Sequence, residues 1–167
     1  MSTGDRFIVF VAKGFGSGYA PKGPGTFGSI VGLAFVALLL LLPGPLSYTT
    51  AAVSGIIASV WFCGEAERIL NLKDPGSIVL DEIIALPICF LPFVWETYLA
   101  TGQIPTPASL FVDNWLLVGA AFVGFRFFDI LKPWPIKQLQ DLHGGFGVTI
   151  DDVLAGIYVA ALLWFFA

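Results

Sequence analysis

Apolar residues run along this chain in five long blocks, at roughly 27–42, 48–63, 79–99, 110–130 and 150–167. A helix crossing the hydrocarbon core of a bilayer needs ~20 such residues. Each block is near that length, the first two and the last a little short. In lipid every backbone polar group must pair within its own segment, so blocks this long and apolar predict helices. Pro87 and Pro92 are predicted to kink the third. Small residues recur four apart at Gly28 and Gly32, Ser54 and Ala58, and Gly156 and Ala160, a spacing that lets helices approach closely. The pattern predicts an all-α fold, a polytopic membrane bundle of about five transmembrane helices. A glycine-rich N-terminal segment, re-entrant or interfacial, precedes it. With no repeat and no linker, residues 1–167 are expected to form a single membrane-embedded domain.

Composition agrees with a membrane class. Hydrophobic residues make up 57% of the chain and charged residues 12%, about half the charged share of an average soluble domain. A net charge of -4 argues against nucleic acid as a partner, which calls for a basic patch. Cys63 and Cys89 lie in apolar blocks and read as small buried hydrophobes. The early apolar run "FIVFVA" is short and lacks a cleavage site, so no cleavable signal peptide is expected.

The basic residues set an orientation. Arg6, Lys13 and Lys22 precede the first helix, and Arg68 and Lys73 lie between the second and third. Arg126 ends the fourth, and Lys132 and Lys137 follow it. The alternate loops, "PGPLS" and "ATGQIPTPAS", carry no charge. The excess of Lys and Arg in cytoplasmic loops then puts the N-terminus and loops 64–78 and 131–149 in the cytoplasm.

That topology gathers the acids. Asp81 and Glu82 near the start of helix three, Asp129 near the end of helix four, and Asp151 and Asp152 at the start of helix five share one membrane face. Asp74 lies just upstream in a loop. Carboxylates at one depth repel unless protons or cations intervene. Magnesium is held typically by one or two carboxylates plus phosphate oxygens. Local roles fit some of these residues equally well. Asp151 and Asp152 suit the helix dipole with Thr149 as N-cap, Asp74-Pro75 suits an N-cap followed by proline, and Arg126 and Asp129 suit an i,i+3 pair. Asp81 and Glu82, inside the apolar run "IVLDEIIAL", have no such local role. Ionisable residues embedded in a membrane segment are functional candidates. Glu96 and Asp113 belong to the other face and read as structural.

A second signal is "GSGYAPKGPGTFGS", a glycine-rich turn that enters helix one. Such a turn aims backbone N–H groups at an anion, phosphate above all. Lys22, Gly25, Thr26 and Ser29 are its candidate phosphate-binding residues. "GGFGVT" at 144–149 leads similarly into helix five, with His143 beside it as a solvated loop residue.

The blocks "PKGPGTFGS", "DPGSIVLDEIIAL", "FRFFDILKPWPI" and "GGFGVTIDDVLAGIY" together resemble the phosphatidylglycerophosphatase A family of bacterial membrane phosphatases. They stand in that family's order, with Ala85 where the family tends to have glycine. The resemblance implies magnesium-dependent hydrolysis of the terminal phosphomonoester of phosphatidylglycerol phosphate, giving phosphatidylglycerol. It implies a multi-pass protein of the bacterial inner membrane, its active site on the cytoplasmic side, with a phospholipid substrate and membrane lipid around it. It marks Asp81, Glu82, Asp129 and Asp152 as catalytic, and Arg126 and Lys132 as phosphate-binding. Asp81, Glu82, Asp129, Asp151, Asp152 and Asp74 are the expected magnesium ligands. A metal-activated water is the expected nucleophile, since no Cys or Ser-His pairing is evident near the acids; an aspartyl-phosphate intermediate is the alternative. A homo-oligomer is neither required nor excluded. The rival readings are a CDP-alcohol phosphotransferase, whose D-G-x-x-A-R pattern is absent, and a cation-coupled transporter, which calls for acids near the bilayer midplane and an internal repeat.

Overall fold

The structure, a computed structural model, describes residues 1–140, 142 and 144–166. Among these residues all regular structure is helical, with no strand. Eight α-helices run in order: α1 Thr3–Ala12, α2 Pro24–Leu39, α3 Pro45–Leu70, α4 Leu80–Ala85, α5 Leu91–Thr101, α6 Trp115–Leu131, α7 Ile136–Leu139 and α8 Gly145–Phe166.

Helix α1 has a clear local cause. The Ser2 hydroxyl accepts the Asp5 N–H at 3.1 Å, and the Asp5 carboxylate accepts the Ser2 N–H at 2.8 Å. This reciprocal cap satisfies two donors that a helix start leaves open. The apolar side of α1 packs on α3, where Phe7 meets Phe62 edge-on. At its C-terminal end the Ala12 carbonyl accepts the Val79 N–H at 3.0 Å.

The third apolar block forms the centre of the bundle. Every residue from Ile78 to Phe90 is buried, and this stretch packs against α2, α3, α6 and α8. The proline expectation holds as an interruption: α4 tightens into a 3-10 stretch at Leu86–Phe90 before α5 resumes. Such a break exposes carbonyls, and the Tyr48 hydroxyl donates to that of Pro87 at 3.0 Å.

Two of the three small-residue pairs touch neighbouring helices. A Cβ at Gly32 would lie 3.2 Å from the Ile83 carbonyl, and one at Gly156 would lie 3.0 Å from that of Ala85. Ser54 and Ala58 differ, since both are exposed. Helix α3 turns inward one position later and buries Ser59, a rotation of about 100° per residue.

The membrane character is plain. Pro45–Leu70, the run Leu80–Thr101 and Gly145–Phe165 are each long and apolar enough to cross a bilayer. Pro24–Leu39 is apolar but shorter, and α6 has 17 residues. All five expected helices are therefore present among the described residues, and three of them reach spanning length.

Candidate functional site

Three polar clusters carry the site, one each on α4, α6 and α8. On α4, Asp81 and Glu82 occupy the first turn, and the Asp81 Oδ1 accepts the Glu82 N–H at 3.0 Å. On α8 the same arrangement recurs: Asp151 Oδ1 accepts the Asp152 N–H at 3.1 Å. These four acids are only 3–8% exposed. A solvated charged face is thereby excluded.

Helix α6 supplies the cations. Arg126 and Asp129, one turn apart, pair at 2.7 Å. The same Nη1 donates to Glu82 Oε1 at 3.1 Å and to Ser29 Oγ at 3.5 Å. Lys132 closes α6 in a left-handed conformation (φ 43°). Its Nζ thereby reaches Asp151 Oδ2 at 2.5 Å. Burial works against the Lys132 charge, but the hydrogen bond and charge of Asp151 outweigh it and hold the ammonium above the ordinary lysine value.

Helix α2 leaves room for this hub. A Cβ on Gly25 would overlap Glu82 Oε1 and stand 2.9 and 3.0 Å from the two Arg126 Nη atoms. A Cβ on Gly28 would meet Glu82 Oε2 at 2.8 Å. Gly25 and Ser29 thus line the site as the sequence suggested, with the Ser29 hydroxyl donating to the Gly25 carbonyl at 3.0 Å. Lys22 and Thr26 are exposed, and neither side chain makes a hydrogen bond or ion pair with the acids.

Several local expectations change. Helix α8 begins at Gly145, so Asp151 and Asp152 stand in its second turn and its first turn holds no acid. The dipole effect fades beyond the first turn, and Thr149 is inside the helix rather than its N-cap. The early start has a packing cause: a Cβ on Gly145 would collide with the Val60 carbonyl of α3. Asp74 is not an N-cap either. It sits in a turn at φ 45°, six residues before α4. Its N–H donates to Glu67 Oε1 at 2.6 Å, and its Oδ2 accepts from Gln140 Nε2 at 2.8 Å. Asp74 interacts electrostatically with Asp81 and Asp151 from that position. Cys63 meets the Ser59 hydroxyl at 3.5 Å on α3. It is fully buried behind α4, so it offers no nucleophile to a phosphate. Glu96 lies beside Trp164 near the far end of α8, and Asp113 precedes α6. His143 lies outside the described residues.

Five buried or half-buried carboxylates thus face two cations. Glu82 Oε2 and Asp152 Oδ1 are buried without a hydrogen-bond partner among the described residues. Such oxygens are the hard donors that magnesium takes. No three acidic, His or Cys side chains among the described residues form a complete metal-binding group. The donor set fits an ion shared with a phosphate, the usual way magnesium is held, rather than an all-protein cage.

Residues 10–167 match the family phosphatidylglycerophosphatase A. The chain is 38% identical over 156 residues to the phosphatidylglycerophosphatase A of Escherichia coli strain K12, covering 93% of this chain and 80% of that protein. It is 35% identical over 158 residues to the phosphatidylglycerophosphatase A of Haemophilus influenzae, covering 94% and 86%. A putative phosphatidylinositol-3-phosphatase of Bacteroides thetaiotaomicron is 37% identical over 160 residues, covering 93% and 90%. No solved structure matches. Over nearly its whole length the chain thus belongs to the phosphatidylglycerophosphatase A family.

Proposed function

We propose that this enzyme hydrolyses the terminal phosphomonoester of phosphatidylglycerol phosphate, with magnesium, at the cytoplasmic face of a bacterial inner membrane. The observation that carries the reading is the Arg126 hub, where one guanidinium meets Glu82, Asp129 and Ser29 beneath a glycine.

A phosphomonoester bears about two negative charges near neutral pH. Its lipid tails stay in the bilayer, so its phosphate arrives at the depth where these acids and cations lie. The planar fork of Arg126 suits two phosphate oxygens at once. Asp129 and Glu82 hold that fork in place before substrate enters. Lys132 adds a point charge from the α8 side, aimed by Asp151. Asp81, Glu82, Asp129, Asp151 and Asp152 are the residues that would hold magnesium, with Asp74 at the edge of the group. When bound, magnesium supplies positive charge against the phosphate oxygens and acidifies water. The proton of an attacking water passes to one of the same carboxylates. Cys63 is fully buried, which supports a water nucleophile over a thiol.

The relative in Bacteroides thetaiotaomicron, with its phosphoinositide name, makes the headgroup the finer question. Phosphate release from phosphatidylglycerol phosphate and from a phosphatidylinositol monophosphate should be measured side by side in detergent micelles. Each is measured after chelation and after magnesium is restored. The expected result is release from the glycerol lipid, lost on chelation and recovered with magnesium. Full activity in chelator would remove magnesium from the reading, and a preference for the inositol lipid would replace the substrate.

A further inference from the structure

Helix α3 carries none of the site's acids or bases, yet it packs against both α4 and α8. Its residues Ser59 and Cys63, one turn apart, are both fully buried. The Ser59 hydroxyl shares a hydrogen bond with Thr149 Oγ1 at 3.2 Å and with the Cys63 sulfur at 3.5 Å. Thr149 is 1% exposed and stands two residues before Asp151. A buried hydrogen-bonded chain therefore runs from Thr149 on α8 to Ser59 and Cys63 on α3, the helix that also packs against α4.

The chain is position-specific. A buried hydroxyl without a partner is costly, so the polar groups favour one register of α8 on α3. One turn earlier, Gly145 enforces the same crossing sterically, against the Val60 carbonyl and the Gly64 backbone. A slip of one turn would move Asp151 and Asp152 by about 5.4 Å, out of reach of Lys132 and the α4 acids.

We propose that Ser59, Cys63 and Thr149 are positioning residues, a buried polar ladder through which α3 holds the acids of α8 at their working distance from α4. The inference rests on the acid group being the reaction site.

Thr149→Val keeps the side-chain shape and removes the hydroxyl, Ser59→Ala removes its partner, and Thr149→Ser restores the hydroxyl. For each, kcat and KM for phosphatidylglycerol phosphate and the magnesium concentration at half-maximal rate should be measured. The labelling rate of Cys63, with Cys89 replaced by Ala, gives a readout free of activity. Loss of a supporting partner typically costs 10–100-fold. Thr149→Val and Ser59→Ala are expected to lower kcat by about 10-fold or more, with KM little changed. Half-saturating magnesium should rise and Cys63 should label faster. Thr149→Ser should recover most of kcat, and the double variant should lose no more than the worse single one, as expected for one shared contact. Wild-type kcat in Thr149→Val overturns the ladder. So does an equal loss in Thr149→Ser, which marks packing instead. If Thr149→Val does not fold, Ser59→Ala carries the same comparison. Asp152→Asn separates the two levels. If it turns over normally, the site reading fails and the ladder falls with it; if it is inactive while Thr149→Val is normal, only the ladder is overturned.

Discussion

Gly25→Ala puts one methyl group into the hub. The backbone tolerates it, because Gly25 lies in the first turn of α2 and alanine favours a helix over glycine by about 0.8–1.0 kcal/mol. The cost falls on the site. The new Cβ would stand 2.9 Å from one Arg126 Nη, where ordinary contact begins near 3.4 Å. The guanidinium must retreat by about half an ångström, and Glu82 Oε1, which overlaps the Cβ, must retreat further. Both groups end flexible side chains, so the fold can absorb the move. The reaction cannot absorb it as easily, since misplacement by ~1 Å costs on the order of 10²-fold, or about 2.7 kcal/mol of barrier. The expected result is thermal stability in detergent close to wild type, with turnover of phosphatidylglycerol phosphate lower by about two orders of magnitude. Phosphate release and thermal unfolding, measured on the same preparation, check it. Near-normal turnover would refute the reasoning, because Arg126 and Glu82 would then tolerate displacement. A fall in stability matching the fall in turnover would refute it too.

Asp151→Asn and Asp152→Asn should diverge in stability and agree in activity. Asp151 holds Lys132, so its amide should lower the unfolding temperature, whereas Asp152 loses only an unpartnered anionic oxygen and should unfold no lower than wild type. Both should lose roughly 10² or more in turnover, and normal turnover at limiting magnesium in both variants would show the site to be elsewhere. Glu96→Gln and Asp113→Asn, at the opposite end of the helices, should retain turnover near wild type in the phosphate-release assay; inactivation of either with folding intact would break the one-end arrangement. Single cysteines placed in the 100–108 loop should react with an impermeant reagent in intact cells, and labelling at 131–140 instead would reverse the orientation.

The pattern of apolar blocks was enough to find the main helical segments, three of which reach spanning length, because bilayer-length segments must be helical. Topology alone brought Asp81, Glu82, Asp129, Asp151 and Asp152 to one end. Other features were hidden for physical reasons. Helix α1 is too short to register as an apolar block, and its signal was the Ser2 and Asp5 spacing of a reciprocal cap. The start of α8 was misplaced because Gly144, Gly145 and Gly147 read as a loop by intrinsic preference, while close packing on α3 requires a residue without a side chain at 145. Ser59 looked like an ordinary small residue of an apolar helix, and Thr149 like an N-cap. Their role comes from a contact 90 residues apart, which no local pattern encodes. Lys22 and Thr26 share a motif with Gly25 and Ser29 but are exposed: Lys22 precedes α2, and Thr26 lies on the side of α2 away from α4.

The hydrogen bond from Val79 to the Ala12 carbonyl also has a meaning in time. Ala12 leaves the ribosome about 67 residues before Val79, which at ~5–20 residues per second is a delay of roughly 3 to 13 seconds. During that interval α2 and α3 must enter the bilayer while the end of α1 waits without its final partner. The reciprocal cap at Ser2 and Asp5 favours the start of α1 from local residues. The segment that later seats α4 is therefore made first, and its Ala12 carbonyl is in place to receive Val79 when that helix is made.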